Sequence, residues 1–267
     1  MAIVTLMTDF GIKDGNVGVM KGVIWAINPS AQISDLSHMI GPQNIREAAL
    51  ILARSVPYFP AGSIHVVVVD PGVGTKRRPM AARIGDWFYV GPDNGTLTLL
   101  LERAEEEGWQ QDFVELDQPK YWLPKVSFVF HGRDIFSPVA AHLATGVALS
   151  ALGKPFTDPV KLQLPKPIQT KSGWKGEIVH IDHFGNLASN IRVENLGAAT
   201  QHPDQILVRF KDKEIRGLVR TFGERGEGDL VSLLGSTGNL IVSVVNGNAA
   251  ARLAAKVGDG IEAVVKI

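Results

Sequence analysis

Asp70 stands where an apolar run ends and a glycine turn begins, in IHVVVVDPGVGTKRRP (64–79), with Lys76, Arg77 and Arg78 close behind it. His131 follows a second apolar run, VSFVF at 126–130, and opens the sequence HGRD. Asp9 follows a third, IVTLM at 3–7, and leads into Phe10 and Gly11. A carboxylate, a guanidinium and an imidazole can jointly hold a water and take its proton. That chemistry suits hydroxide attack on an electrophile that already carries its leaving group. The same three groups can also form a structural ion-pair network, and Asp70 can simply organise its turn and pair with an arginine. Residue types alone leave both readings open.

Positioning these side chains falls to the runs that precede them. Residues 64–69 are mostly β-branched and do not alternate, the pattern of a strand buried on both faces of a parallel sheet. Strands are expected over 3–7, 32–36, 64–69 and 126–130, with a hairpin in MAARIGDWFYV (80–90) and a loop at GPDNG (91–95). Helical spacing is expected over 17–26, 45–55, 96–107 and from Ile135 onward. If the strands before Asp9, Asp70 and His131 are parallel neighbours, the three side chains converge on one rim of the sheet. Open α/β sheets bind ligands there.

Residues 1–160 therefore read as an α/β domain with a mostly parallel central sheet. The composition changes near DPVKLQLPKPIQTKS, and residues 161–172 read as a linker. Residues 173–267 read as a small C-terminal β-barrel, with strands in GEIVHID, LASNIRV, QILVRF, DLVSLL, NLIVSVV and IEAVVKI and one helix in NAAARLAAK (248–256).

Composition narrows the function classes. Lys+Arg and Asp+Glu balance at 27 each, so no net basic surface points to nucleic acid or an anionic membrane. The absence of cysteine excludes disulfides, thiolate nucleophiles and cysteine-zinc sites. No apolar run approaches a membrane span, and MAIVTLMTD lacks a signal-peptide pattern, so a cytoplasmic protein is expected. The glycines at 11, 15 and 18 do not fit a dinucleotide loop, GVGTKRRP is no Walker motif, and no G-x-S-x-G elbow occurs. The seven histidines are scattered, so no metal is expected.

Taken together, TDFG (8–11), VDPGVGTKRR (69–78), GPDNG (91–95), FHGRDIFSP (130–138), IDHFGNLASN (181–190) and GSTGNL (235–240) resemble the SAM hydroxide adenosyltransferase family. That family hydrolyses S-adenosylmethionine (SAM) to adenosine and methionine and is related to the fluorinase and chlorinase enzymes. The resemblance implies an N-terminal α/β domain, a C-terminal β-barrel and a homotrimer. SAM would lie between the N-terminal domain of one subunit and the C-terminal domain of its neighbour. It implies that Asp70, Arg77 and His131 activate the water and that Asp9 holds the ribose hydroxyls. Asp182 and Ser236, joined by Asp14, would contact the methionine part. Phe184, Asn186 and Phe222 would contact the adenine. No cofactor is implied, because SAM is the substrate. The halogenating relatives carry Tyr at the position of Asp70, and the fluorinase carries a halide-binding Ser at that of Gly132. A carboxylate at 70 repels a halide and favours water, so a SAM-dependent halogenase is the lesser alternative. A non-catalytic SAM- or adenosine-binding module is the other. One departure is Thr237, where the halogenases carry an arginine near the methionine carboxylate.

Overall fold

Alternating apolar runs and amphipathic stretches fold, in this computed structural model describing residues 2–265, into a layered α/β unit that ends at Leu162. Strands β1 (Ile3–Thr8), β2 (Gln32–Ser37) and β3 (Ile64–Val68) are linked by helices α1 (Asn16–Ile27) and α2 (Ile45–Ser55). The Asn44 side chain accepts from Glu47 N (3.1 Å) to start α2, and Glu47 and Arg54 complement its dipole at either end. Next come β4 (Pro79–Ile84), β5 (Trp87–Pro92), α3 (Thr98–Glu107) and β6 (Gln111–Leu116). A π-helical turn, Gly132–Phe136, runs into α4 (Ser137–Ala144), and β7 (Gly153–Phe156) closes the unit.

The sheet order is β2-β1-β3-β5-β4-β6-β7. It is mixed: pairing is parallel from β2 through β5 and antiparallel from β5 to β7. The unbroken run at β3 has a simple cause. Val66 and Val68 pack on one face with Leu6, Met20, Ile24 and Phe136, while Val67 and Val69 pack on the other with Met7, Leu52, Tyr89 and Leu101. Helices cover both faces, so alternation in polarity would serve nothing.

The second unit begins at Gln163. Its strands are β8 (Ile168–Thr170), β9 (Gly173–Ile181), β10 (Leu187–Arg192), β11 (Ile206–Phe210), β12 (Lys213–Arg216), β13 (Leu230–Leu234), β14 (Asn239–Val244) and β15 (Gly260–Val265). The pairing is antiparallel in the order β12-β11-β15-β9-β10-β14-β13, with β8 on β9. An isolated bridge, Val219 to Leu233, brings the segment after β12 onto β13 and nearly closes the barrel. Two short helices, α5 (Val193–Leu196) and α6 (Ala249–Arg252), sit against this core.

Several expectations are corrected. Residues 126–130 form no strand: Phe128 and Val129 are 81% and 78% exposed. Their backbone is used locally, with Ser127 N donating to Asp134 Oδ2 (2.9 Å) and Phe130 N to Ser127 Oγ (3.1 Å). His131 therefore opens a helical turn rather than ending a strand. The strands β6, β7 and β12 lack long apolar runs, and β8 lies inside the expected linker. The helix expected over 248–256 shrinks to α6, because Ala254 adopts φ 45° and ends it. The last two residues of the expected final strand, 266–267, lie outside the described residues.

Candidate active site

β1 and β3 are parallel neighbours with Thr8 opposite Val68, so Asp9 and Asp70 leave the sheet at the same edge. After Asp70 the chain folds as successive turns. Val73 N donates to Asp70 O (3.2 Å), Thr75 N to Gly72 O (3.1 Å), and Arg77 N to Thr75 Oγ1 (3.3 Å). The turns carry Arg77 back onto Asp70. Arg77 Nε lies 3.0 Å from both carboxylate oxygens, and Nη2 lies 2.5 Å from Oδ2. Both side chains are nearly buried, at 9% and 4% exposed. A planar fork against a carboxylate is the strong form of the pair. Removing one partner of such a buried pair costs about 3–5 kcal/mol, because the other charge is left uncompensated.

The same Nη2 lies 2.8 Å from His131 Nδ1. A guanidinium only donates, so Nδ1 holds a lone pair and the neutral ring carries its proton on Nε2. The imidazole pKa is lowered by burial and by the Arg77 charge, against opposing pulls from Asp70 and Asp134. His131 is therefore neutral near pH 7 and offers an N–H. The Arg77 guanidinium also lies 5.3 Å from the Phe136 ring centre, on the helical turn that His131 opens.

Three further features tie the loops together. Phe10 meets Phe130 edge to face at 5.6 Å, joining the neighbour of Asp9 to the neighbour of His131. Gly74 has φ +74°, and a Cβ there would overlap the Phe128 carbonyl, so the Asp70–Arg77 loop presses on the loop before His131. Gly132 is buried, and a Cβ would crowd Val68 Cγ1 at 3.2 Å and Met20 Sδ at 3.4 Å. Sequence reading places Gly74 in the tight turn after Asp70, whereas it gives Phe10, Phe130 and Phe136 no role. The available signal was an aromatic beside Asp9 and another beside His131.

The first unit thus brings Asp70, Arg77 and His131 into one hydrogen-bonded chain. Asp9 accepts from Gln43 N at 2.7 Å, and Asp14 is exposed in the loop before α1. In the second unit, Asp182 Oδ1 accepts from Phe184 N (2.9 Å) and Asn186 N (2.8 Å), while Oδ2 accepts from Asn186 Nδ2 (2.7 Å). Asn186 Oδ1 accepts from Ser243 Oγ at 2.6 Å. Asp182 and Asn186 therefore build the turn that presents Phe184, which is 72% exposed. Phe222 starts a short 3₁₀ turn capped by Thr221, and Ser236 is exposed between Gly235 and Gly238. Among the described residues, no three His, Asp or Glu side chains gather as a metal-binding group.

The sequence profile described as SAM hydroxide adenosyltransferase N-terminal domain matches residues 4–153, and that of the C-terminal domain matches residues 176–262. The chain belongs to the SAM hydroxide adenosyltransferase family. Among relatives of this family member, the (R)-S-adenosyl-L-methionine hydrolase of Salinispora tropica is 39% identical, covering 96% of this chain and 95% of that protein. The hydrolase of the same name from Thermus thermophilus is 38% identical, covering 97% and 98%. A fluorinase of an Actinoplanes species is more distant, at 29% identity over 90% of each chain. The crystal structure of an uncharacterized conserved protein from Thermotoga maritima, 37% identical, superposes with a TM-score of 0.91 over 98% of this chain and 100% of that one.

Proposed function

We propose that this protein hydrolyses SAM to adenosine and methionine by attack of a water-derived hydroxide on the ribose 5′ carbon. The observation that carries the reading is the continuous Asp70–Arg77–His131 chain, in a family whose relatives bear that hydrolase name. A C5′–O bond forms as the C5′–S bond breaks, and the sulfonium takes the electron pair to become a neutral thioether. The leaving group is already cationic, so no general acid is needed. The water's proton goes to Asp70. Of the three groups only this carboxylate is a proton acceptor: Arg77 has no lone pair, and His131 spends its own on Arg77. The His131 Nε2–H orients the water, and Arg77 offsets the negative charge developing on oxygen. Placing a water in line with the bond to be broken can lower the barrier by about 7–11 kcal/mol in favourable cases.

Within this reading Asp9 holds the ribose hydroxyls, and Asp14, Asp182 and Ser236 serve the methionine part. Asp182 already accepts three hydrogen bonds in its turn, leaving roughly one of a carboxylate's four lone-pair sites for substrate. Phe184, Asn186 and Phe222 serve the adenine. A homotrimer belongs to the same proposal. The exposed apolar side chains Ile12, Met39, Phe128 and Val129 support an assembly that covers them, and sedimentation showing three chains per particle checks it.

Halide transfer is disfavoured on two counts. Asp70 is a fixed negative charge, and a serine at position 132 would meet Val68 and Met20 more closely than side chains normally pack. Incubation with SAM in chloride buffer, followed by chromatography, separates the readings. Adenosine with methionine supports hydrolysis, 5′-chloroadenosine would mark a halogenase, and unchanged SAM would mark a binding module.

A further inference from the structure

The chain leaves the sheet after β3 at Asp70 and re-enters it as β4 at Pro79, yet the strand lying between those two is β5. β5 runs parallel to β3. The loop over 70–78 must therefore arch over the C-terminal end of β5, and the residues that follow β5 lie beneath the arch. Those residues are Asp93 and Asn94, in the GPDNG stretch that the proposed water chemistry does not use.

Each holds one foot of the arch. Asn94 Nδ2 donates to Val69 O at 2.9 Å, on the residue just before Asp70. The Asn94 side chain is locked in turn, because its Oδ1 accepts from Thr96 N (3.2 Å) and Thr96 Oγ1 (2.7 Å). Asp93 N donates to Arg78 O at 2.9 Å, and Asp93 Oδ2 accepts from Arg78 Nε at 2.9 Å, on the residue just after Arg77. Asp93 Oδ1 accepts from Val160 N at 2.8 Å, and the carboxylate is 2% exposed. Arg78 is held from its far side too, by Asp158 Oδ1 at 2.7 Å and by the Phe156 ring at 4.2 Å. A buried carboxylate and a half-buried amide, consecutive in sequence, thus grip the two residues that bracket Asp70 and Arg77.

We propose that Asp93 and Asn94 are positioning residues that set the separation and angle of Asp70 and Arg77, and through Arg77 the seat of His131. The inference rests on the reading of that chain as the water site. The clamp touches neither water nor substrate, so its loss acts on turnover rather than on SAM binding. A shift near 1 Å in such a site can cost about 100-fold in rate.

Two isosteric variants test it. Asn94→Asp turns an oxygen toward the Val69 carbonyl, and Asp93→Asn removes the charge that faces Arg78. Both are expected to lower kcat about 10- to 100-fold while KM stays within about threefold of the wild type. Lys161→Ala, which breaks an exposed pair with Glu105, serves as a surface control with unchanged kinetics. A second readout needs no substrate. The ring of His131 faces Arg77, Asp70 and Asp134, so as Arg77 recedes its titration, followed by NMR, moves upward in both variants. If Asn94→Asp does not fold, Asn94→Ser, which keeps a shorter donor, takes its place. Wild-type kcat together with an unmoved His131 titration in folded variants would overturn the proposal. If the wild-type protein itself releases no adenosine from SAM, the hydrolysis reading falls, and the His131 titration still decides the clamp.

Discussion

Because a guanidinium has no lone pair, its 2.8 Å contact makes His131 Nδ1 an acceptor, and the contact survives only while the ring is neutral. Protonating His131 sets two donors face to face and a second positive charge beside Arg77. The folded-state pKa lies below the ordinary 6.5, chiefly through burial. The rate should therefore rise with pH through an apparent pKa below 6.5 and stay flat across neutrality. In His131→Asn this acidic limb should move to lower pH, because the titrating ring is gone; a limb that stays in place would assign it to another group. Asp70→Asn keeps the shape but removes the proton acceptor, and it should lower kcat by roughly 10²–10⁴ while SAM still binds, as calorimetry would record.

Loops, rather than strands, supply the closest tolerances. Gly74 carries a left-handed φ of +74° and has the Phe128 carbonyl where a Cβ would go. Gly74→Ala should push the Asp70–Arg77 loop away from the loop before His131. A kcat loss of at least about tenfold is expected, larger than any change in KM, and steady-state kinetics on the folded variant would show it. The same elements mark what was legible beforehand. The run at 64–69 announced β3 and the place of Asp70, and the helical spacing at 45–55 announced α2, because burial on two faces or one stripe leaves a periodic mark. VSFVF misled, since apolar composition cannot tell an exposed loop from a strand whose backbone is paired elsewhere. The contact from Arg77 to His131 spans 54 positions, and no local pattern encodes it. Asp182 and Asn186 were legible as site residues through the resemblance alone, and no local pattern announced that their hydrogen bonds also build the turn presenting Phe184.

Over the whole molecule, charge balance and absent cysteine excluded classes of chemistry without naming one, and six short motifs in both halves supplied the family. The first unit carries its own pH sensitivity. His65, the second residue of β3, is buried, its Nδ1 lies 2.8 Å from Thr5 Oγ1, and burial lowers its pKa to about 4. Its folded pKa lies below the unfolded 6.5, so the stabilisation is complete above about pH 6.5 and is lost as the pH falls toward 4. The amount at stake is ~3 kcal/mol. His65→Gln should flatten the melting temperature of the first unit between those limits, and an unchanged slope would place the sensitivity elsewhere. The claim on which everything else depends is that water attacks the 5′ carbon. Hydrolysis of SAM in ¹⁸O-water, read by mass spectrometry, tests it most directly. The expected result is one ¹⁸O in the 5′-hydroxyl of adenosine and none in methionine; unlabelled adenosine, or no adenosine at all, would contradict it.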